Sequence, residues 1–129
     1  MASKVDQGVR YSKTHEWVRV EGREAVVGVS DYAQDKLSDV VFVDVPSVGT
    51  QVKKDGALLV IESVKAAEDV FSPVSGAVSA VNAALQATPE LVNTEPFGQG
   101  WLVKIMMSDP KEVESLMDAS AYEEYLKTL

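Results

Sequence analysis

The chain has 129 residues, 46% of them hydrophobic and 25% charged, which predicts one domain (1–129) with its own core and little room for a second. The absence of cysteine excludes disulfides, thiol catalysis and cysteine-based metal sites. The formal net charge of −8, from 20 acidic and 12 basic residues, argues against a nucleic-acid partner and favours attraction to basic patches on other proteins.

In chain order, residues 1–10 are polar and expected to be loosely ordered. They lack the apolar core of a signal peptide and the Arg- and Ser-rich character of a transit leader. "EWVRV" (16–20) alternates apolar with polar, as a half-buried strand should, and the Gly-containing turn "EGRE" leads to a returning strand, "AVVGV" (25–29). Ser30 or Asp31 reads as the N-cap of a short helix at 31–37, with Asp31 and Gln34 at capping-box spacing. "VVFVDV" (40–45) is a strand stopped by Pro46, and the turn signals "PSVG" and "KKDG" bracket "TQV". Two strand-like runs then flank Lys65, followed by a strand at 76–82. Residues 83–100 read as a long connection and 101–107 as the last strand. Asp109, Pro110 and Glu112 combine a cap, a first-position proline and a third-position acid, with Val113, Leu116 and Met117 at helical spacing. Ser120 and Glu123 form a second capping box that opens a last helix, so 109–129 is a C-terminal helical extension. Many short strands followed by helices predict a mainly β fold, a two-sheet sandwich or flattened barrel. No apolar run approaches the roughly 20 residues of a membrane span.

Enzyme signatures are missing. His15 is the only histidine, so a zinc centre would need an unusual all-carboxylate set, and with no partners for a triad in view His15 reads as a structural or rim residue. There is no glycine-rich phosphate loop; "FGQGW" is a turn. The scattered aromatics make no stacking platform with basic residues. Glu62, Glu68 and Asp69 can be read as an acid/base cluster or as a solvated turn, and no pocket signal accompanies them.

The distinctive stretch is "LLVIESVKAAEDVFSPVSG" (58–76), with Lys65 between small residues at the tip of a hairpin. Two readings are open. Lys65 is an ordinary solvated turn lysine, or the turn exists to display it. A swinging-arm carrier needs an exposed amine on a rigid element, with small neighbours that let a ligase and other enzymes close around it. Tethering cargo there raises its effective concentration at successive active sites.

"IESVKAAEDVFSPVSG" resembles the lipoyl-attachment segment of the glycine cleavage system H protein family. "YSKTHEWVR", "GVSDYAQDKLSDVVFVDVPSVG", "ELVNTEPFGQGWLVKI" and "LMDASAYEEYL" are similar to the same family, in the same order, from Tyr11 onward. The resemblance implies a lipoyl-type flattened barrel of two sheets with lipoate covalently on Lys65. It implies that the lipoyl arm takes the aminomethyl group of glycine from the pyridoxal-phosphate glycine decarboxylase (P protein) to the aminomethyltransferase (T protein), which passes it to tetrahydrofolate. Dihydrolipoyl dehydrogenase (L protein), with FAD and NAD, reoxidises the arm, and a lipoate ligase or lipoyltransferase attaches it. The chain itself catalyses none of these steps. The loaded arm is expected to shelter in a cleft, with Glu16 pairing the cargo amine and Thr14 beside it, while Glu62, Ser63, Val64, Ala66, Glu68 and Asp69 serve ligase and partner recognition. A monomer is expected, since the carrier docks in several clefts, and the compartment is the cytoplasm if bacterial or the mitochondrial matrix if eukaryotic with its leader removed. Three departures stand out: Glu68 replaces a serine, "KKDG" inverts the usual Gly-Asp order, and Ser38 replaces a glycine, where a positive φ would strain it. The alternatives are an H-like protein relaying lipoyl groups to other enzymes, an acyltransferase-type or biotinyl domain, and an interaction domain whose lysine is never modified. Methionines flank the lysine in biotinyl domains, and Val64 and Ala66 stand there instead.

Overall fold

Valine recurs along the extended runs, and several of the turns between them carry a glycine or polar residue at positive φ, among them Gly22, Gly49 and Asp55. The computed structural model describes residues 3–129; residues 1 and 2 of the stretch expected to be loose lie outside them. One antiparallel sheet holds β1 (Arg10–Tyr11), β2 (Glu16–Glu21), β3 (Glu24–Val29), β9 (Val103–Met107), β8 (Gly76–Val81) and β5 (Gln51–Val52) in that spatial order. A smaller sheet holds β4 (Val40–Asp44), β6 (Ala57–Ser63) and β7 (Ala67–Phe71). The two face each other across Val27, Val43, Ile61, Val70, Val78 and Ile105. They are separate sheets rather than a closed barrel, so the fold is the expected two-sheet sandwich with free edges.

The larger sheet is covered on its far side as well. Trp17 and Val26 pack there with Tyr11 and Tyr122. This corrects the half-buried reading of residues 16–20: Glu16, Trp17 and Val18 are all buried, because both faces of β2 are packed. Gly28 sits opposite Trp17 in the β2–β3 register, and a Cβ on it would fall 2.5 Å from the indole. The indole N–H donates to the Pro96 carbonyl at 2.9 Å.

Helix α1 (Asp31–Leu37) is capped by Ser30, whose hydroxyl accepts from Ala33 N at 3.2 Å, while Gln34 donates to Asp31 at 2.9 Å. The connection at 83–100 is not plain loop. It contains the single helical turns α2 (Ala84–Ala87) and α3 (Leu91–Thr94), which bury Leu85 and Val92 and are too short to show a periodic pattern. Asp109 caps a 3-10 helix, Pro110–Ser115, in place of an α-helix. Glu112 does not reach back to that cap; its carboxylate accepts from Ser75 N at 2.6 Å and Ser75 Oγ at 2.8 Å. Helix α4 (Ala119–Leu126) has its cap two residues before the expected one. Asp118 caps it, accepting from Ala121 N at 2.8 Å, and Ser120 lies inside. α4 lays Tyr122 flat on Tyr11, ring centroids 4.0 Å apart.

Candidate functional site

The β6–β7 hairpin turns through Val64, Lys65 and Ala66. Ser63 organises this turn. Its hydroxyl accepts from the backbone N–H of Lys65 and of Ala66, both at 3.2 Å, and its own N–H donates to the Ala66 carbonyl at 2.8 Å. Val64 N donates to the Asp39 carbonyl at 3.0 Å, tying the tip to the segment after α1. Lys65 is exposed, and its ammonium donates to the Lys36 carbonyl at 3.1 Å. Helix C-termini leave such carbonyls without helical partners.

The segment that receives the tip is itself held. The Asn93 amide donates to the Ser38 carbonyl at 2.8 Å and to Gln34 Oε1 at 3.0 Å, and its oxygen accepts from Val40 N at 2.9 Å. Ser38 has φ 64° and ψ −159°, a conformation open essentially only to glycine, so the strain expected of serine at this position is present. Its hydroxyl is buried without a hydrogen-bond partner among the described residues.

Beside Lys36 a cleft of about 280 Å³ opens between α1, the start of β2 and the β7 edge. Val29, Ala33, Leu37 and Val70 give it apolar walls, and Thr14, Glu16, Tyr32, Glu68 and Asp69 its polar lining. Thr14 and Glu16, expected together from sequence, do meet here. Glu16 is only 3% exposed and accepts from Ser12 Oγ at 2.7 Å, from Thr14 Oγ1 and, across to the other sheet, from Phe71 N at 3.1 Å. Burial pushes its carboxyl above the usual carboxylate range, against the hydrogen bonds from Thr14, Ser12 and Phe71 that favour the charged form. His15, with φ 75°, also lines the cleft. Its Nδ1 lies 2.8 Å from Tyr122 Oη, its ring packs on Tyr32 and Tyr125, and burial lowers its pKa. Burial also pushes the Tyr122 phenol up to about 12, so at neutral pH it is a hydrogen-bonding group and not an anion.

The other residues picked out from sequence fall in different places. Ser63 is the internal brace of the turn. Glu62 pairs laterally with Phe42 and Ala67 on the small sheet, and Val64 and Ala66 form the exposed tip. Glu68 and Asp69 line the cleft. Sequence reasoning did not single out Ser12, Tyr32, Lys36 or Asn93, which act from separate elements. Among the described residues no group of three His, Cys, Asp or Glu is placed to hold a metal, and no helix is long and apolar enough to cross a membrane.

The sequence profile of the glycine cleavage H-protein family matches residues 9–129. Glycine cleavage system H proteins of Xanthobacter autotrophicus and Cronobacter sakazakii are both 53% identical to this chain. The first match covers 94% of this chain and 97% of the relative, the second 97% and 98%. The crystal structure of a glycine cleavage system H protein from Mycobacterium marinum superposes with a TM-score of 0.83 at 31% identity, covering 96% of this chain and 98% of that one.

Proposed function

The chain belongs to the glycine cleavage H-protein family, and on that premise we propose that it is the lipoyl-bearing carrier of the glycine cleavage system, acylated on Lys65. The observation that carries this reading is one exposed amine, on a braced turn, beside a cleft with apolar walls and a buried carboxylate. These residues fit an amide-linked lipoyl arm. Nζ is open to acylation, an amide there keeps one N–H to donate to the Lys36 carbonyl, and Val29, Leu37 and Val70 offer apolar surface to a hydrocarbon chain. When attached, lipoate supplies a disulfide that takes up the aminomethyl group of glycine and gives it on to the next enzyme.

The chain's own residues then bind and shelter. Glu16, set by Ser12, Thr14 and Phe71 N, presents a fixed carboxylate for an alkylammonium, and burying a cation needs such a partner. Glu68, paired with the inward-facing Ile61, adds negative charge at the edge. The apolar walls keep water from a hydrolysable amine. Glycine decarboxylase, aminomethyltransferase and dihydrolipoyl dehydrogenase are the partners of this reading, and the chain acts as their shuttle without catalysing a step.

The test is acylation with lipoate–protein ligase, lipoate and ATP, mapped by tryptic mass spectrometry. Modification blocks cleavage after Lys65 and joins the flanking fragments into one peptide spanning 55–104 with a lipoyl mass increment. Lys65→Arg abolishes the adduct and leaves stability within about 0.5 kcal/mol, because the turn is exposed. A folded wild-type chain without an adduct on Lys65 overturns the reading.

A further inference from the structure

The three strands of the smaller sheet contain Asp44, Glu62, Glu68 and Asp69 and not one lysine or arginine. Register sorts their side chains between the two faces, because residues paired across strands point the same way. Val43 and Ile61 are paired and buried, so they point into the core. The adjacent pairs therefore face outward: Phe42 beside Glu62 and Ala67, then Asp44 beside Val60 and Asp69.

The end of this face nearest Lys65 is apolar. The register shifts between Val40 and Phe42, and this bulge leaves two consecutive residues in solvent, Val41 at 53% and Phe42 at 44% exposure. A regular strand would turn one of them inward; bulges re-aim side chains in this way, often beside functional sites. Val64, 67% exposed, carries the apolar area onto the turn that holds Lys65. Among the described residues the ion pairs lie elsewhere, Lys104 with Glu21 and Lys127 with Glu124, so the acids of this face have no paired cation. Exposed apolar area and gathered like charge each disfavour the free protein, and a basic partner covering the face relieves both.

We propose that this outer face, built on Val41, Phe42 and Val64 and rimmed by Asp44, Glu62 and Asp69, is the docking surface for the enzyme that acylates Lys65, which meets it with an apolar patch rimmed by lysines or arginines. The inference rests on Lys65 being the acylated residue. The acylating enzyme is the occupant because its bond forms at Nζ itself. Nζ first gives up one proton to become the free amine. The carbonyl carbon of an acyl adenylate then joins Nζ, its bond to the AMP oxygen breaks with the electron pair leaving on AMP, and Nζ loses a second proton to solvent as the amide forms. That enzyme must close over the turn and the face beside it, whereas enzymes working at the far end of the arm need not.

The test is steady-state acylation of the full chain by lipoate–protein ligase, with lipoate and ATP, followed by intact mass. Phe42→Ser raises the KM for the chain about tenfold with kcat unchanged, as loss of a central apolar anchor should. Glu62→Gln and Asp44→Asn raise KM a few fold and flatten its salt dependence. Val20→Ser, on the other sheet and also exposed, leaves KM unchanged. Melting temperatures within a few degrees of wild type establish that each variant is folded. Wild-type KM in Phe42→Ser, or an unchanged salt slope in the acid variants, overturns the docking surface while leaving the carrier reading intact. A wild-type chain never acylated on Lys65 overturns both.

Discussion

Ser38→Gly should make the protein more stable, against the usual direction of a serine-to-glycine change. Ser38 holds φ 64° and ψ −159°, where a Cβ is strained by about 1–3 kcal/mol. Its buried, unpartnered hydroxyl costs about 1 kcal/mol more. Glycine removes both and gives back about 0.5–1 kcal/mol through the greater freedom of the unfolded chain. The net gain is about 2 kcal/mol, which for a chain of this length raises Tm by about 8 °C. Ser38→Ala removes the hydroxyl and keeps the Cβ, so it gains only about 1 kcal/mol. Calorimetric melts of the three proteins side by side separate the two contributions. If Ser38→Gly melts at or below Ser38→Ala, backbone strain is not stored there and the reasoning fails.

The remaining expectations concern the cleft and the core. Glu16 binds its proton more tightly folded than unfolded, so its favourable contribution is complete below the ordinary glutamate range and is lost as pH rises through its elevated value. The stability of wild type relative to Glu16→Gln should therefore fall as pH rises above the ordinary glutamate range, followed by urea titration at each pH; a difference that grows with pH refutes it. Gly28→Ala drives a methyl group to within 2.5 Å of the Trp17 ring and should cost about 1–3 kcal/mol with a shift in tryptophan emission, whereas a native melt and spectrum would show that β2 and β3 can part freely.

The fold was legible where residues carry local signals. Period-two alternation, Pro46 and the glycine turns located the long strands, and Lys65 stood out because small residues flank it between two strand-like runs. Thr14 and Glu16 were named through the family resemblance, and spacing alone would not have chosen them. What escaped is what only packing decides. β2 reads as half-buried until α4 and the 91–101 segment cover its second face. α2 and α3 are one turn each and leave no periodic trace. Ser120 and Glu123 have capping-box spacing, yet Asp118 caps α4 and leaves Ser120 inside the helix. Glu112 looks like a capping acid and is taken instead by Ser75, far away in sequence. Lys36 contributes a carbonyl, which no side-chain pattern reports.

The carboxylate of Glu16 accepts the N–H of Phe71, a residue of β7, the edge strand of the smaller sheet. An open edge is a template on which a second molecule can add a strand and begin a fibre. Here a side chain from the facing sheet takes up one edge donor, and Glu68 and Asp69 set like charges along the same strand. The acids gathered around the cleft thus also guard the molecule against itself. A second copy approaching this strand meets one donor already taken and a pair of like charges beside it.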